Sequence, residues 1–228
     1  MLAGDMSQAP RQLALALGFH ERFGREDFLE GPSNVSALAL IERWPDWPAP
    51  AVALVGPDGA GKSHLAAIWA KAAGARAIAG HAVTLAGVPT ALATGALVVE
   101  DLRAGACEEA ALFHLLNLAR EEGASLLITA RTAPGGWPVA LRDLASRLRA
   151  LPVVTLAPPD DALLRAVLVK LFADRQLAVD AGLVGYLASR IERSFAAARA
   201  IVDELDREAL RQKREVNRVL AAELLRDR

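Results

Sequence analysis

Eight consecutive residues have the types and spacing that a phosphate-binding site requires. They read Gly56, Pro57, Asp58, Gly59, Ala60, Gly61, Lys62 and Ser63, which is the pattern G-x-x-x-x-G-K-S. The glycines let the backbone turn sharply, so that amide groups point inward at phosphate oxygens. Lys62 is then placed to reach the β- and γ-phosphates, and the Ser63 hydroxyl to hold Mg²⁺. The alternative interpretation is a chance glycine turn.

The residues on either side predict the strand and the helix that such a loop needs. Residues 51–55 (A-V-A-L-V) are short and apolar, as in a buried strand, and residues 64–73 contain no Gly or Pro and can form a helix. The helix would begin near Lys62 and add the positive end of its dipole to the site. The sequence therefore predicts nucleotide binding, whereas nucleotide hydrolysis is a separate question.

A second apolar segment ends in two carboxylates. Residues 96–99 (A-L-V-V) are followed by Glu100 and Asp101. In a magnesium–nucleotide site, one carboxylate holds the metal through water, and a second orients the attacking water. The alternative is an ordinary strand end with two solvated acids.

The rest of the chain alternates between strand and helix patterns up to residue 157. The predicted strands are residues 51–55, 75–78, 96–101, 125–129 and 153–156, and the predicted helices are residues 37–44, 64–73, 108–122 and 141–148. Ser33 or Asn34 can cap the first of these helices, and residues 79–94 fit neither pattern. Short apolar strands without alternation predict an α/β fold with a parallel five-stranded sheet flanked by helices.

After Pro158 and Pro159 the pattern becomes wholly helical. Four helix starts are predicted, at Asp160 or Asp161, Asp180, Ser194 and Asn217. We therefore expect an N-terminal tail (1–20), a nucleotide-binding α/β part (21–157) and a C-terminal helical lid (158–228).

Composition narrows the function classes. The 228 residues carry a net charge of −1 and only 5% aromatic residues, which argues against broad nucleic-acid binding and base-stacking platforms. Cys107 is the only cysteine, and no signal-peptide pattern or membrane-length apolar run is present, so we expect a cytoplasmic protein without membrane contact.

Near the start of the chain lies a leucine-rich segment, Q-L-A-L-A-L, at residues 12–17. If it is extended, Leu13, Leu15 and Leu17 point to one side, because side chains alternate along a strand. Together with Gln12, such a segment can dock into the pocket of another protein. The alternative is that these leucines pack on the domain's own surface.

From Arg25 onward the chain resembles the AAA+ ATPases, and among them the DnaA family of bacterial replication initiators. Residues 27–34 (D-F-L-E-G-P-S-N) are similar to the family's segment beside the adenine, which implies that Phe28 and Asn34 contribute there. Residues 56–65 resemble its phosphate loop, including His64, and residues 98–101 resemble its metal-binding strand. Residues 141–148 (L-R-D-L-A-S-R-L) are similar to the box with the arginine finger, which would be Arg147. Without the resemblance, an exposed charge on a helix is an equally good interpretation of Arg147.

DnaA initiators carry a further DNA-binding domain, whereas this chain stops after the lid pattern. An AAA+ module preceded by Q-L-x-L-x-L resembles the Hda type of the family. The resemblance implies that Gln12, Leu13, Leu15 and Leu17 bind the β sliding clamp, and that DNA is reached only through the clamp. It also implies that Arg147 acts in trans to stimulate ATP hydrolysis by DnaA, which restrains replication initiation. Homodimer formation stays open.

Three positions depart from the family pattern. Glu100 stands where the family usually has Asp, and Arg131 lies near a position that is acidic or polar in the family. Ala196 falls at the usual sensor arginine of the lid, and neither Arg193 nor Arg199 is in register with it. We therefore expect bound ADP or ATP with Mg²⁺, and weak or no intrinsic ATPase activity. The alternatives are a self-contained DnaA-like ATPase or loader acting on nucleic acid or a helicase, and a nucleotide-binding module with some other partner.

Overall fold

The computed structural model describes residues 23–226. Within this range five strands form one parallel sheet in the order β2-β3-β4-β1-β5. The strands are β1 (Ala51–Val55), β2 (Arg76–Ala79), β3 (Ala96–Leu102), β4 (Ser125–Ala130) and β5 (Val153–Thr155). The predicted α/β class and the five parallel strands are therefore confirmed. The leucine-rich segment with Gln12, Leu13, Leu15 and Leu17 lies outside the described residues.

Helices cover the sheet and then continue as a helical C-terminal part. They are α1 (Val35–Glu42), α2 (Lys62–Ala73), α3 (Val88–Leu92), α4 (Glu109–Glu121), α5 (Arg142–Ala150), α6 (Asp161–Asp174), α7 (Ala181–Ala188), α8 (Phe195–Gln212) and α9 (Arg218–Arg226). None of the helices between residues 23 and 226 has the length and apolarity needed to cross a membrane.

The sheet is buried on both faces, which explains its continuous apolar strands. Successive residues of β3 point to opposite faces. Leu97 and Val99 join the apolar cluster that includes α3, α4 and α5, whereas Val98 joins the cluster that includes α1 and α2. All three side chains are fully buried, and each contributes about 1.5–3 kcal/mol relative to exposure to water.

The C-terminal helices have a hydrophobic core of their own, formed by α6 to α9. Each begins where the sequence predicts a capping side chain. The caps are Asp160, Asp180, Ser194 and Asn217, each of which accepts a hydrogen bond from an amide of the first helical turn. A short polar side chain at this position satisfies an amide that the helix itself leaves unpaired.

The prediction of a side-chain cap at the first helix is wrong. Asn34 occupies the N-cap position of α1, but its side chain makes no capping bond. It accepts a hydrogen bond from the amide of Gly31 (2.9 Å) and donates one to the carbonyl of Leu29 (2.9 Å). Ser33 does not cap either, since its buried hydroxyl has no hydrogen-bond partner. Asn34 thus fixes the turn before the helix.

Candidate nucleotide site

The loop between β1 and α2 has the backbone of a phosphate cradle. Gly59 and Gly61 have φ angles of +70° and +99°, a region that residues with a Cβ rarely adopt. At Gly56 a Cβ would lie 2.5 Å from the carbonyl oxygen of Leu156. The amide of Gly56 donates to the carbonyl of Ala130 (3.1 Å), which fastens the loop to β4. The glycines therefore serve backbone geometry, as the motif predicts.

Lys62 is folded back into this loop. Its Nζ donates to the carbonyl oxygens of Gly56 (2.7 Å) and Pro57 (2.8 Å), and the residue is only 6% exposed. Burial lowers the pKa of Lys62, while the neighbouring carboxylates of Asp58 and Asp101 oppose that shift. A buried ammonium group that is held only by carbonyl oxygens fits a phosphate, because the anion offers it stronger, charge-assisted hydrogen bonds.

The two residues predicted to hold Mg²⁺ lie together. The Ser63 hydroxyl donates to Glu100 Oε2 (2.8 Å), which joins the start of α2 to the end of β3. Mg²⁺ is usually held by one or two carboxylates together with phosphates and water, so this pair fits the ion in the presence of a phosphate. In the described part of the chain no cluster of three or more His, Cys, Asp or Glu residues could hold a metal without that help.

Asp101 stands at a bulge at the end of β3. Its φ is +56°, and the register between β3 and β4 shifts between Val99 and Leu102. The amide of Asp101 donates to the Thr129 hydroxyl (3.0 Å), and Thr129 is buried on β4. A strained residue held by a buried polar partner is typical of functional sites. Sequence reasoning missed Thr129, whose one signal is a hydroxyl after the apolar residues 126–128 of β4.

A cavity of about 470 Å³ opens beside Gly61, between the segment before α1 and helices α2, α6 and α8. This volume lies in the range of small-molecule sites. Phe28 and His64 line it and contact each other edge to face, with ring centroids 5.2 Å apart. Asn34 is not among the lining residues; it holds the turn that follows Phe28. Phe28 and His64 therefore line a cavity of small-molecule size beside the loop, while Asn34 holds the turn after Phe28, and their contact with a nucleoside stays a prediction.

The N-terminus of α8 reaches the phosphate loop. The amide of Phe195 donates to the carbonyl of Gly59 (2.8 Å), and a Cβ at Gly59 would lie 2.9 Å from the Cβ of Ala196. The residue at the predicted sensor position is thus at the loop, and it carries no charge. Arg193 forms an ion pair with Asp161 (2.8 Å), and Arg199 lines the cavity beside Gly61.

Arg147, the predicted arginine finger, lies in the last turn of α5. Its guanidinium group stacks over the ring of Phe113 on α4, 5.3 Å from the ring centroid. This described contact is with α4 and not with the phosphate loop. A role for Arg147 on a partner's nucleotide stays a prediction.

Comparisons with known proteins extend these observations. No protein-family model and no curated protein matches the chain. Domain III of the Thermotoga maritima replication initiation protein DnaA superposes with a TM-score of 0.72 at 18% identity, over 90% of this chain and 96% of that one. AMPPCP-bound DnaA from Aquifex aeolicus gives a TM-score of 0.65 at 15% identity, over 81% and 65% of the two chains.

A second group of similar structures consists of RuvB, a protein whose role differs from that of DnaA. The Thermotoga maritima RuvB Holliday junction branch migration motor superposes with a TM-score of 0.66 at 16% identity, over 89% of this chain and 70% of that one. At sequence identities this low, the superposition establishes a common fold. The five-stranded parallel sheet, its flanking helices and the helical C-terminal part are accordingly a fold that this chain shares with domain III of DnaA and with RuvB.

Proposed function

We propose that this chain binds an adenine nucleotide with Mg²⁺ and acts as a regulatory adaptor of replication initiation. The observation that carries nucleotide binding is the buried ammonium group of Lys62 inside a glycine loop, beside the paired Ser63 and Glu100. The bound nucleotide in a DnaA structure of the same fold supports this proposal.

The predicted residues of the phosphate loop, the metal site and the nucleoside cavity have distinct roles in this proposal. Lys62 and the loop amides bind phosphate oxygens, and Ser63 and Glu100 hold Mg²⁺, which offsets the charge of the phosphates. Asp101 orients water, and the hydrogen bond of its amide to Thr129 holds its backbone at the end of β3. Phe28 and His64 pack against the nucleoside, while Gly56, Asp58, Gly59, Ala60 and Gly61 form the turn itself.

The adaptor role rests on the resemblance to the Hda type. In this role Gln12, Leu13, Leu15 and Leu17 bind the β sliding clamp, and DNA is contacted only through it. Arg147 is then presented to the ATP bound by DnaA and stabilises the charge that develops on the γ-phosphate. An arginine finger that a partner protein supplies raises the rate of nucleotide hydrolysis by about 10³- to 10⁵-fold. Arginine suits this role because its guanidinium group stays charged and offers a planar fork of donors.

The stacking of Arg147 on Phe113 supports this role, because it orients the guanidinium group before DnaA binds. Arg147 and Phe113 are half-buried, and a cation over an aromatic face is attracted by about 0.5–2 kcal/mol, which is enough to bias the side chain but not to hold it against a phosphate. The guanidinium group can therefore move from the ring to a stronger anionic partner.

The alternative is a self-contained ATPase or loader that acts on nucleic acid or a helicase. One observation favours it: Lys62, Ser63, Glu100 and Asp101 converge in one site of this chain. Steady turnover of ATP by the isolated protein, abolished by Lys62→Ala, would support this alternative against the adaptor.

The test is the hydrolysis of ATP bound to DnaA, in the presence of DNA-loaded clamp, with and without this protein. We expect acceleration that requires both the clamp and Arg147, so that Arg147→Ala removes it. Arg149→Ala is the matched control, because Arg149 is exposed in the same last turn of α5. No acceleration by folded, nucleotide-bound protein would contradict the adaptor role.

A further inference from the structure

Glu109, in the first turn of α4, holds the segment that leads into α5. Its Oε1 accepts a hydrogen bond from the amide of Ala140 (2.8 Å), and its Oε2 accepts one from the amide of Leu141 (2.7 Å). Hydrogen bonds from amides to a carboxylate are charge-assisted and stronger than those between neutral groups. Because each oxygen takes one of two consecutive amides, the carboxylate fixes both the position and the direction of the backbone there.

The start of α5 has no local cap that could replace this contact. Leu141 occupies the N-cap position, and its apolar side chain cannot accept a hydrogen bond from the first helical turn. The backbone of Leu141 already belongs to the helix, because its carbonyl accepts the amide of Ala145 (3.0 Å). The beginning of α5 is therefore fixed from the neighbouring helix, through Glu109.

A second contact between the same two helices involves the last turn of α5. Phe113 stands four residues after Glu109, so the two side chains occupy one face of α4. The guanidinium group of Arg147 stacks over the Phe113 ring. Between these two contacts, Leu144 is fully buried in the apolar cluster that joins α4 and α5. Helix α5 is thus held against α4 both at its start and beside Arg147.

We propose that Glu109 is a positioning residue for Arg147, since it sets where α5 begins and thereby where the guanidinium group stands. The inference rests on the proposed role of Arg147 toward the ATP bound by DnaA, and it adds what orients this side chain. Leu141 and Arg147 are only about 9 Å apart along the helix axis, so a shift at the start of α5 displaces the guanidinium group as well. Misplacing a catalytic group by about 1 Å can lower a rate by about 100-fold.

The first experiment observes Arg147 by NMR in the full-length protein and needs no partner. Protons above an aromatic ring resonate upfield of their usual position, so the Nε and Cδ protons of Arg147 report whether the side chain lies over Phe113. We expect Phe113→Leu to remove this upfield shift and Glu109→Ala to remove most of it. Glu109→Gln should keep most of the shift, because its carbonyl oxygen still accepts an amide.

Glu108→Ala is the matched control for both experiments. It removes the same charge from the exposed residue just before Glu109, whose side chain makes no capping bond at the start of α4. The upfield shift of the Arg147 protons should be unchanged in this variant.

The second experiment measures hydrolysis of DnaA-bound ATP, with DNA-loaded clamp, as a function of the concentration of each variant. We expect Glu109→Ala to lower the maximal rate by about 10- to 100-fold, because the finger is misplaced in the transition state. The concentration that gives half of the maximal rate should change by less than about twofold, since the binding surface is intact. Glu109→Gln should retain most of the maximal rate, and Glu108→Ala all of it.

The two readouts separate this inference from the proposed function. An unchanged upfield shift of Arg147 in Glu109→Ala would overturn the inference. A raised half-saturating concentration at an unchanged maximal rate would also overturn it, because Glu109 would then contribute to binding the partner. If the wild-type protein does not accelerate hydrolysis, the adaptor role is wrong, and the NMR measurement alone decides whether Glu109 orients Arg147.

Discussion

The ammonium group of Lys62 has two loop carbonyls as its described hydrogen-bond acceptors, although it is almost fully buried. Burial lowers its pKa, which means that the charged form is less stable in this fold than in water. The fold therefore holds a cation at some cost to stability, and a phosphate that pairs with it offsets this cost.

This reasoning predicts the effect of replacing Lys62 with alanine. We expect Lys62→Ala to fold normally, because a desolvated charge is removed, and to bind nucleotide at least about 100-fold more weakly. Isothermal titration calorimetry with ADP measures the affinity, and circular dichroism checks the fold. Lys71→Ala is the control, since Lys71 is exposed in the last turn of the same helix. Equal affinity of Lys62→Ala and wild type would contradict the assignment of the loop.

At the scale of elements, the contact between α8 and the phosphate loop leaves no room for a side chain at Gly59. Gly59→Ala must accept both a left-handed backbone, at about 1–2 kcal/mol, and a clash with Ser194 and Ala196. Gly74→Ala accepts a left-handed backbone alone, because a Cβ there meets nothing within 4 Å.

The difference between these two variants isolates the contact between the lid and the loop. We expect Gly59→Ala to lower the free energy of unfolding by about 1–3 kcal/mol more than Gly74→Ala does. Urea unfolding of the nucleotide-free protein measures both values. Equal losses would mean that α8 does not rest on the loop in solution.

A second link joins α6 to the segment before α1. Lys170 donates to Asp27 (2.8 Å) and to Asp174 on its own helix (3.0 Å). Partial burial lowers the pKa of Lys170, but the hydrogen bonds to the two carboxylates outweigh it, so that its pKa is raised above 10.5. The folded protein thus holds this proton more tightly than the unfolded chain does, and the resulting stability is present below pH 10.5.

The sign of this shift gives a pH prediction. The stability from Lys170 should be complete at neutral pH and should disappear as pH rises through the raised folded-state pKa. Lys170→Gln should therefore be less stable than wild type at pH 8, and the difference in stability between the two proteins should narrow toward pH 11. Thermal unfolding of both proteins across this range measures it. Lys213→Gln, in an exposed position after α8, should show no such narrowing.

The elements that sequence predicted well are those whose local pattern matches their environment. Strand β1 and residues 96–99 and 126–128 of β3 and β4 are apolar because they are buried on both faces of the sheet. The helix caps of the C-terminal part need only a short polar side chain. Helix α3 was missed because it is too short for a periodic pattern. Asn34 was misjudged because the same side chain serves a cap or a preceding turn equally well.

The contacts that sequence could not predict join residues far apart in the chain. Arg131 and Asp58 meet only because β4 lies beside β1, and Thr129 meets the amide of Asp101 only because the register shifts at the bulge. The approach of Ala196 to Gly59 depends on how the C-terminal helices pack against the sheet. These relations follow from strand order and packing, which no local pattern contains.

At the scale of the whole molecule, the adaptor and the self-contained ATPase differ in their need for the first residues of the chain. The described contacts of the site that we assign to the nucleotide join residues between 23 and 226, and none of these contacts involves the leucine-rich segment. Deleting residues 1–17 should therefore leave nucleotide affinity unchanged in either case. For the adaptor, the same deletion should abolish binding to the β sliding clamp.

Point substitutions make this last test specific to the leucines. If the segment binds in extended form, Leu13, Leu15 and Leu17 face the pocket, while Ala14 and Ala16 face away. Each leucine that loses its burial costs about 1.5–3 kcal/mol, so Leu15→Ala with Leu17→Ala should weaken clamp binding by more than about 100-fold. Ala14→Ser with Ala16→Ser is the matched control and should bind nearly as well as wild type. Surface plasmon resonance on immobilised clamp measures both. Equal binding by the two variants would mean that the clamp does not recognise this segment, and the regulatory role would then lack its means of reaching DNA.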